Sequence, residues 1–325
     1  MYGWDEDPSS WYGEGKYKYG DKGADKRKKA ASRARASGPR TYQRKGRPNT
    51  QLTDPRKTIR TDSKTPMIIA VDVTGSMADW PAQIFDRLPL LYNTLSAYRD
   101  DLALSFIAFG DEHCDEWPMQ VTDFAAGFDL EDRLKGLHGE GGGGDMPESY
   151  GLLAWYIHNR VFTPQARKPF LIVFGDAAMH PVVSRKALQK LLGIPTQEDA
   201  DALKSWAQVC ENWNTWFLRR PTGRPGDAIE KQWKQAVGDD RVIRIGEEER
   251  AVDYAMGLVA RAWGHLDDFR VNLLARQDQD TVEQVSRWVE RHGPRVLECP
   301  KCHAPIPLAA VGRFKCEFCS ATLEV

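Results

Sequence analysis

The sequence predicts a doubly wound α/β domain, with a mostly parallel sheet covered by helices on both faces. Two patterns carry that expectation. Between about residues 65 and 265, short apolar runs alternate with amphipathic stretches, the order expected when crossover helices return each strand to the same sheet. Several of these runs are apolar at successive positions rather than at every second one, as strands buried on both faces must be.

Pro66–Asp72 reads as the first strand. Asp79 and Pro81 open a helix in which Ile84, Phe85, Leu88, Leu91, Tyr92 and Leu95 recur at helical spacing, with a bend expected at Pro89. Leu102–Phe109 is a second buried strand; Met119–Phe124 is a short one beside it, and a helix near 129–137 follows. After the glycine run 141–144, Pro147 is expected to start a helix through Leu152, Leu153, Trp155 and Tyr156. Phe170–Phe174 is then a central strand, 184–192 and 197–211 helices, Trp213–Leu218 a strand and Ala228–Val237 a helix. Arg241–Ile245 is the last strand and Glu247–Trp263 the last long helix. Four regions follow: a basic low-complexity arm over 1–62, the α/β domain over 65–265, an extension over 266–295 with a helix at Thr281–Arg291, and a small module over 296–325.

Composition, 41% hydrophobic and 28% charged over 325 residues, is that of a soluble globular chain. No apolar run approaches the roughly 18 to 20 residues that cross a bilayer, and the first residues lack a secretory signal pattern. A cytoplasmic protein without membrane association is therefore expected. The net charge of −1 conceals an asymmetry: residues 16–60 hold 16 Lys or Arg against three acids, a balance of +13, leaving −14 elsewhere. Such an arm, with Tyr17, Tyr19 and Tyr42 interleaved, suits phosphates and stacked bases. A solubilising arm that folds back on its own acidic domain, or a protein contact, is the simpler reading.

The first strand ends in Asp72-Val-Thr74-Gly-Ser76. A carboxylate and two hydroxyls at alternating positions, at the carboxyl end of a strand, are suited to a hard cation, which asks for oxygen ligands. Helix capping would explain such residues equally well if they stood alone. Glycine at 75 lets the backbone turn closely. Asp145 and Glu148 follow the glycine run, where a phosphate loop would need Lys and Ser or Thr. Asp176 ends another strand. Asp111-Glu-His-Cys-Asp-Glu116 is acidic enough to suit another cation, but an exposed charged loop is the simpler reading, and His180 reads as a packing or supporting residue.

Asp72-x-Thr74-x-Ser76 resembles the Asp-x-Ser-x-Ser metal-ion-dependent adhesion site of von Willebrand factor A (VWA) domains, with Thr74 retaining the oxygen of the middle serine. Asp145-Met-Pro-Glu148 is similar to the Asp-x-Pro-Glu loop of related domains, and Phe174-Gly-Asp176-Ala-Ala-Met-His180 to a later strand end of that family. The resemblance covers about 200 residues and implies a VWA/Rossmann-like fold. It implies a site for Mg²⁺, or Mn²⁺ or Ca²⁺, in which Ser76 and the Asp145/Glu148 loop bind directly, Glu148 being the better candidate. Thr74 and Asp72 would bind directly or through water, and Asp176 mainly through water. In such domains the ion accepts an acidic residue of a partner protein, which for intracellular bacterial relatives is often linked to MoxR-type AAA+ ATPases.

Cys299-x-x-Cys302 and Cys316-x-x-Cys319 are separated by 13 residues. Four thiolates close a tetrahedral Zn²⁺ site with no vacancy, the pattern of a structural zinc ribbon. A pair of disulfides is the rival, at odds with a cytosolic location. Cys114 and Cys210 read as ordinary thiols. No hydrolase or nucleotide-binding motif is present. The expected function is a metal-dependent protein-binding adaptor rather than an enzyme. The alternative is an RNA- or DNA-binding protein using the basic arm and the zinc ribbon, a use of the fold resembling that in Ro-type RNA-binding proteins.

Overall fold

A computed structural model describes residues 47–142, 147–294, 297–299, 301, 305–306, 313–316 and 319–324. Six strands form the main sheet: β1 (Pro66–Asp72), β2 (Ala103–Phe109), β3 (Met119–Val121), β4 (Phe170–Gly175), β5 (Asn214–Arg219) and β6 (Val242–Arg244). Their order is β6-β5-β4-β1-β2-β3, and every pair is parallel except β2 with β3. This is a doubly wound α/β sheet, with one antiparallel edge strand.

All seven residues of β1 are buried because the strand lies in the sheet centre with a helical layer on each face. Met67, Ile69 and Val71 point into one core with helices α1 (Trp80–Ser96), α7 (Ala251–Ala262), α8 (Leu266–Leu274) and α9 (Gln279–His292). Ile68 and Ala70 enter the other, with α3 (Tyr150–Arg160), α5 (Ala202–Asn212) and α6 (Ala228–Val237). Helix α2 (Asp129–Gly136) packs Leu130 and Leu134 into the first core, and α4 (Arg185–Leu192) packs Leu188 and Leu192 into the second. Right-handed crossovers explain the division. The chain moves one way from β1 to β2 and the other way from β4 through β5 to β6, so the intervening helices fall on opposite faces. Each fully buried aliphatic side chain in these layers contributes about 1.5–3 kcal/mol.

Helix α1 carries Ile84, Phe85, Leu88, Leu91 and Leu95 inward and runs through Pro89 without ending. The extension contains one helix more than the sequence pattern indicated: α8 and α9 lie on α7 and share its core through Phe269, Leu273, Val282, Val285 and Val289.

Two expectations are corrected. Pro147 does not open a helix; Pro147–Glu148 is a two-residue strand parallel to Ala178–Met179, and α3 starts at Tyr150. The backbone around Glu148 is taken by other loops, since His180 N–H donates to the Glu148 carbonyl at 3.2 Å and Ser149 N–H to that of Gly110 at 3.3 Å. Residues 47–62, assigned to the low-complexity arm, join the folded body. Thr50–Thr53 is a helical turn, Ile59–Arg60 pairs with Val161–Phe162, and Ile59 is fully buried. Lys57 is held by Asp123 at 2.8 Å and accepts the Tyr156 hydroxyl on its carbonyl. One isoleucine and one two-residue ladder leave no periodic trace in sequence. Residues 1–46 lie outside the described set.

In the C-terminal module, Leu297–Glu298 pairs with Pro305–Ile306 and Arg313–Lys315 with Thr322–Glu324, both antiparallel. Among the described residues no helix is long and apolar enough to cross a membrane.

Candidate metal centre

Strands β1 and β4 are neighbours from which the chain departs in opposite directions, and at such a switch point the carboxyl ends leave a crevice. Asp72 ends β1, and Asp176 directly follows β4. The wall opposite is built by Gly141–Gly142 and the 147–149 segment. Asp72, Thr74, Glu148 and Asp176 are buried, while Ser76 is exposed. Thr74 donates its N–H at 2.9 Å and its hydroxyl at 2.6 Å to Asp72 Oδ1. Thr74 Oγ1 lies 3.3 Å from Ser76 Oγ, which in turn donates to Asp176 Oδ1 at 2.9 Å. Gly75 N–H donates to the Gly142 carbonyl at 2.7 Å, and a Cβ at 75 would stand 3.0 and 3.1 Å from the oxygens of Gly141 and Gly142. A side chain there would force one of the two closely approaching backbones to give by a few tenths of an ångström.

Sequence reasoning missed Tyr150. Its hydroxyl donates to Asp72 Oδ2 at 2.5 Å, so both oxygens of Asp72 are fixed, one by Thr74 and one by Tyr150. The ring is fully buried against Phe109, Trp233 and Phe217, at centroid distances of 4.9, 4.9 and 5.9 Å. Room for the hydroxyl comes from Gly175, where a Cβ would lie 2.0 Å from it. The available signal was a tyrosine two residues after Glu148 together with a glycine before Asp176. Trp233 also clamps the Asp176 loop, donating its indole N–H to the Ala177 carbonyl at 3.0 Å. Arg220 donates to the Ser76 carbonyl and pairs with Glu248 at 2.9 Å, tying the turn to the loop before α7.

The electrostatics are those of an anionic cluster short of positive charge. Burial, then the neighbouring Asp176, pushes Asp72 up to about 7. Burial, then Asp72, Asp111 and Asp115, pushes Glu148 up to about 9. Burial also raises Asp176, although Arg220 and Arg219 act against it. Glu148 Oε2 is buried without a hydrogen-bond partner. A divalent ion among these oxygens would reverse all three shifts and satisfy the orphaned oxygen.

The residues present fit a hard cation. The Thr74 and Ser76 hydroxyl oxygens stand 3.3 Å apart, a little wider than the edge, about 2.9 Å, of an octahedron with ligands at 2.0–2.1 Å. Ordinary hydrogen bonds have the same lengths, so the orphaned Glu148 oxygen and the unbalanced charge are the more telling observations. The carboxylates of Asp72, Glu148 and Asp176 do not form a set within 4.8 Å of one another. The hydroxyls of Thr74 and Ser76 bridge them. Ser76, Thr74 and Glu148 would then be the contacts of an ion, with Asp72 holding Thr74 in place and Asp176 holding Ser76. Asp145 lies outside the described residues.

The 111–116 loop is exposed at His113, Cys114 and Glu116, as expected, but its first residue departs from that reading. Asp111 is fully buried, and backbone and side-chain contacts hold its carboxyl below the usual range although burial alone would raise it. The loop folds inward because Asp111 N–H donates to Asp115 at 2.8 Å, and Asp115 fills the space that Gly110 and Gly142 leave open.

Three of the four predicted cysteine ligands converge: Cys299, Cys316 and Cys319 lie within 4.8 Å of one another, with Cys299 and Cys319 sulfurs 3.7 Å apart. A disulfide requires about 2.05 Å, whereas sulfurs at 2.3 Å from a tetrahedral ion stand about 3.8 Å apart. Cys302 lies outside the described residues.

No protein-family model and no curated protein matches the chain. Among solved structures it is similar to proximal thread matrix protein 1 from the mussel byssus, with 10% identity, 62% of this chain and 48% of that one covered, and a TM-score of 0.44. The pilus adhesin SpaC from Lactobacillus rhamnosus GG, in its open conformation, is similar at 8% identity, 66% and 31% coverage and a TM-score of 0.46. A von Willebrand factor type A structure from Catenulispora acidiphila is similar at 16% identity, 62% and 43% coverage and a TM-score of 0.34. The chain spans less than half the length of each. Its assignment as a doubly wound α/β fold rests on its own strand order, and the oxygen-rich crevice at the switch point is the candidate site of that fold.

Proposed function

We propose that this protein is a metal-dependent protein-binding adaptor in which Mg²⁺ at Thr74, Ser76 and Glu148 accepts a carboxylate from a partner. The observation that carries the reading is the buried Glu148 oxygen without a hydrogen-bond partner, which a cation would satisfy. Ser76 is exposed beside it, which leaves one side of the ion open to a ligand. Binding rather than turnover is the proposed role, in the cytoplasm, with a MoxR-type AAA+ ATPase as the partner that the sequence resemblance suggests. Cys299, Cys316 and Cys319, with Cys302 as the fourth ligand, would hold Zn²⁺ and fold the terminal module, since so short a segment buries little apolar area without metal. That module would supply a second contact.

Co-purification from the native host tests the reading. Partners retained with Mg²⁺ and lost both with EDTA and in Ser76→Ala support it. Retention of every partner under both perturbations overturns it.

A further inference from the structure

Outside the strand-end set, Asp111, His113 and His180 each turn one ligand atom into a common space, all within 4.8 Å of one another. They come from two loops, one after β2 and the other after the Ala178–Met179 strand. Asp111 and His180 are within ion-pair reach, but at a separation wider than a hydrogen bond. His180 Nε2 stands 3.4 Å from Asp111 Oδ1, beyond the usual 2.7–3.2 Å of an N–H···O bond, and Oδ1 already accepts the His113 N–H at 3.0 Å. Two ligands at 2.0–2.1 Å from a tetrahedral ion stand about 3.4 Å apart, and that is the separation here. The rings of His113 and His180 meet edge to face, with centroids 4.7 Å apart.

A second observation points to a ligand. Asp111 is fully buried, and its Oδ2 accepts no hydrogen bond from the described residues; besides the His113 N–H on Oδ1, the carboxylate has the weak thiol donor of Cys114. Such an oxygen is costly to bury uncompensated. Glu112, also buried at its side chain, brings Oε1 to 3.9 Å from His113 Nε2.

We propose that Asp111, His113 and His180 form a further divalent site, selective for a borderline transition ion of the zinc class. Two imidazoles and one carboxylate are poor ligands for Mg²⁺ and good ones for Zn²⁺. Three protein ligands leave a fourth position open. The ion would fasten together the two loops that flank Glu148, whose carbonyl accepts the His180 N–H at 3.2 Å, while Glu112 N–H donates to Ser149 Oγ at 2.7 Å. The site does not depend on the partner-binding role proposed above.

Zinc content of the full chain tests it, after equilibration with buffered free Zn²⁺ in excess Mg²⁺. The wild type should hold one zinc more per chain than His113→Ala, in which an exposed side chain is removed, and one more than His180→Ala. With Co²⁺ as a probe, the weak bands of a nitrogen- and oxygen-ligated ion should vanish in both variants, while the thiolate bands of the cysteine site persist. Equal zinc content in the wild type and His113→Ala, or an extra zinc that survives both substitutions, overturns the proposal.

Discussion

Replacing Glu148 by Gln should stabilise the metal-free protein and abolish its stabilisation by Mg²⁺. Gln has the shape of the protonated acid, so the substitution isolates charge. The folded protein raises Glu148 from its ordinary 4.5 to about 9, through burial and the nearby acids. A folded-state value above the unfolded one means stability is fully present below 4.5 and is lost as pH rises through about 9. At pH 8 the cost of keeping the proton on has an upper bound of ~5 kcal/mol. Solvent reaching the site past exposed Ser76 screens part of this, leaving about 1–3 kcal/mol. Urea unfolding in EDTA at pH 5, 6.5 and 8 should show Glu148→Gln more stable than the wild type at pH 8, with the gap closing toward pH 5. Saturating Mg²⁺ should reverse the order, because only the carboxylate gains from the ion. A wild type in EDTA at pH 8 that equals or exceeds Glu148→Gln in stability would refute the reasoning, since Glu148 would then carry no charge strain.

Tyr150→Phe removes the hydroxyl that donates to Asp72 Oδ2; a buried carboxyl oxygen left unsatisfied costs about 1–3 kcal/mol, to be read by urea unfolding, and Mg²⁺ titration calorimetry should show weaker binding. Gly75→Ala places a Cβ 3.0–3.1 Å from two carbonyl oxygens, so the glycine loop must retreat; Mg²⁺ affinity should fall about tenfold or more while the melting temperature stays within a few degrees. Cys316→Ser should lower bound zinc by one per chain and open the C-terminal module to proteolysis, without changing the unfolding of the α/β domain.

Much of this fold was legible locally. The run from Met67 to Val71 announces a strand buried on both faces, and the spacing of Ile84, Leu88, Leu91 and Leu95 announces the helix beside it, because periodicity records which sides of an element meet the core. Asp72, Thr74 and Ser76 were legible as an oxygen-rich cluster because they crowd one strand end. The docking of residues 47–62, the short strand at Glu148 and the inward fold of Asp111 were not, since each depends on a partner distant in sequence and on no repeat of its own.

By itself the sequence determined the alternation of strands and helices, the oxygen-bearing turn after β1 and the cysteine spacing, all properties of neighbours along the chain. Only the tertiary structure decided that β4 lies beside β1, bringing Asp176 to Ser76 at 2.9 Å across 100 residues. It alone seated the Tyr150 hydroxyl on Asp72 and gathered His113 and His180 about Asp111. These meetings follow from strand order and register, which arise from packing the whole sheet at once and leave no mark in any short stretch of residues.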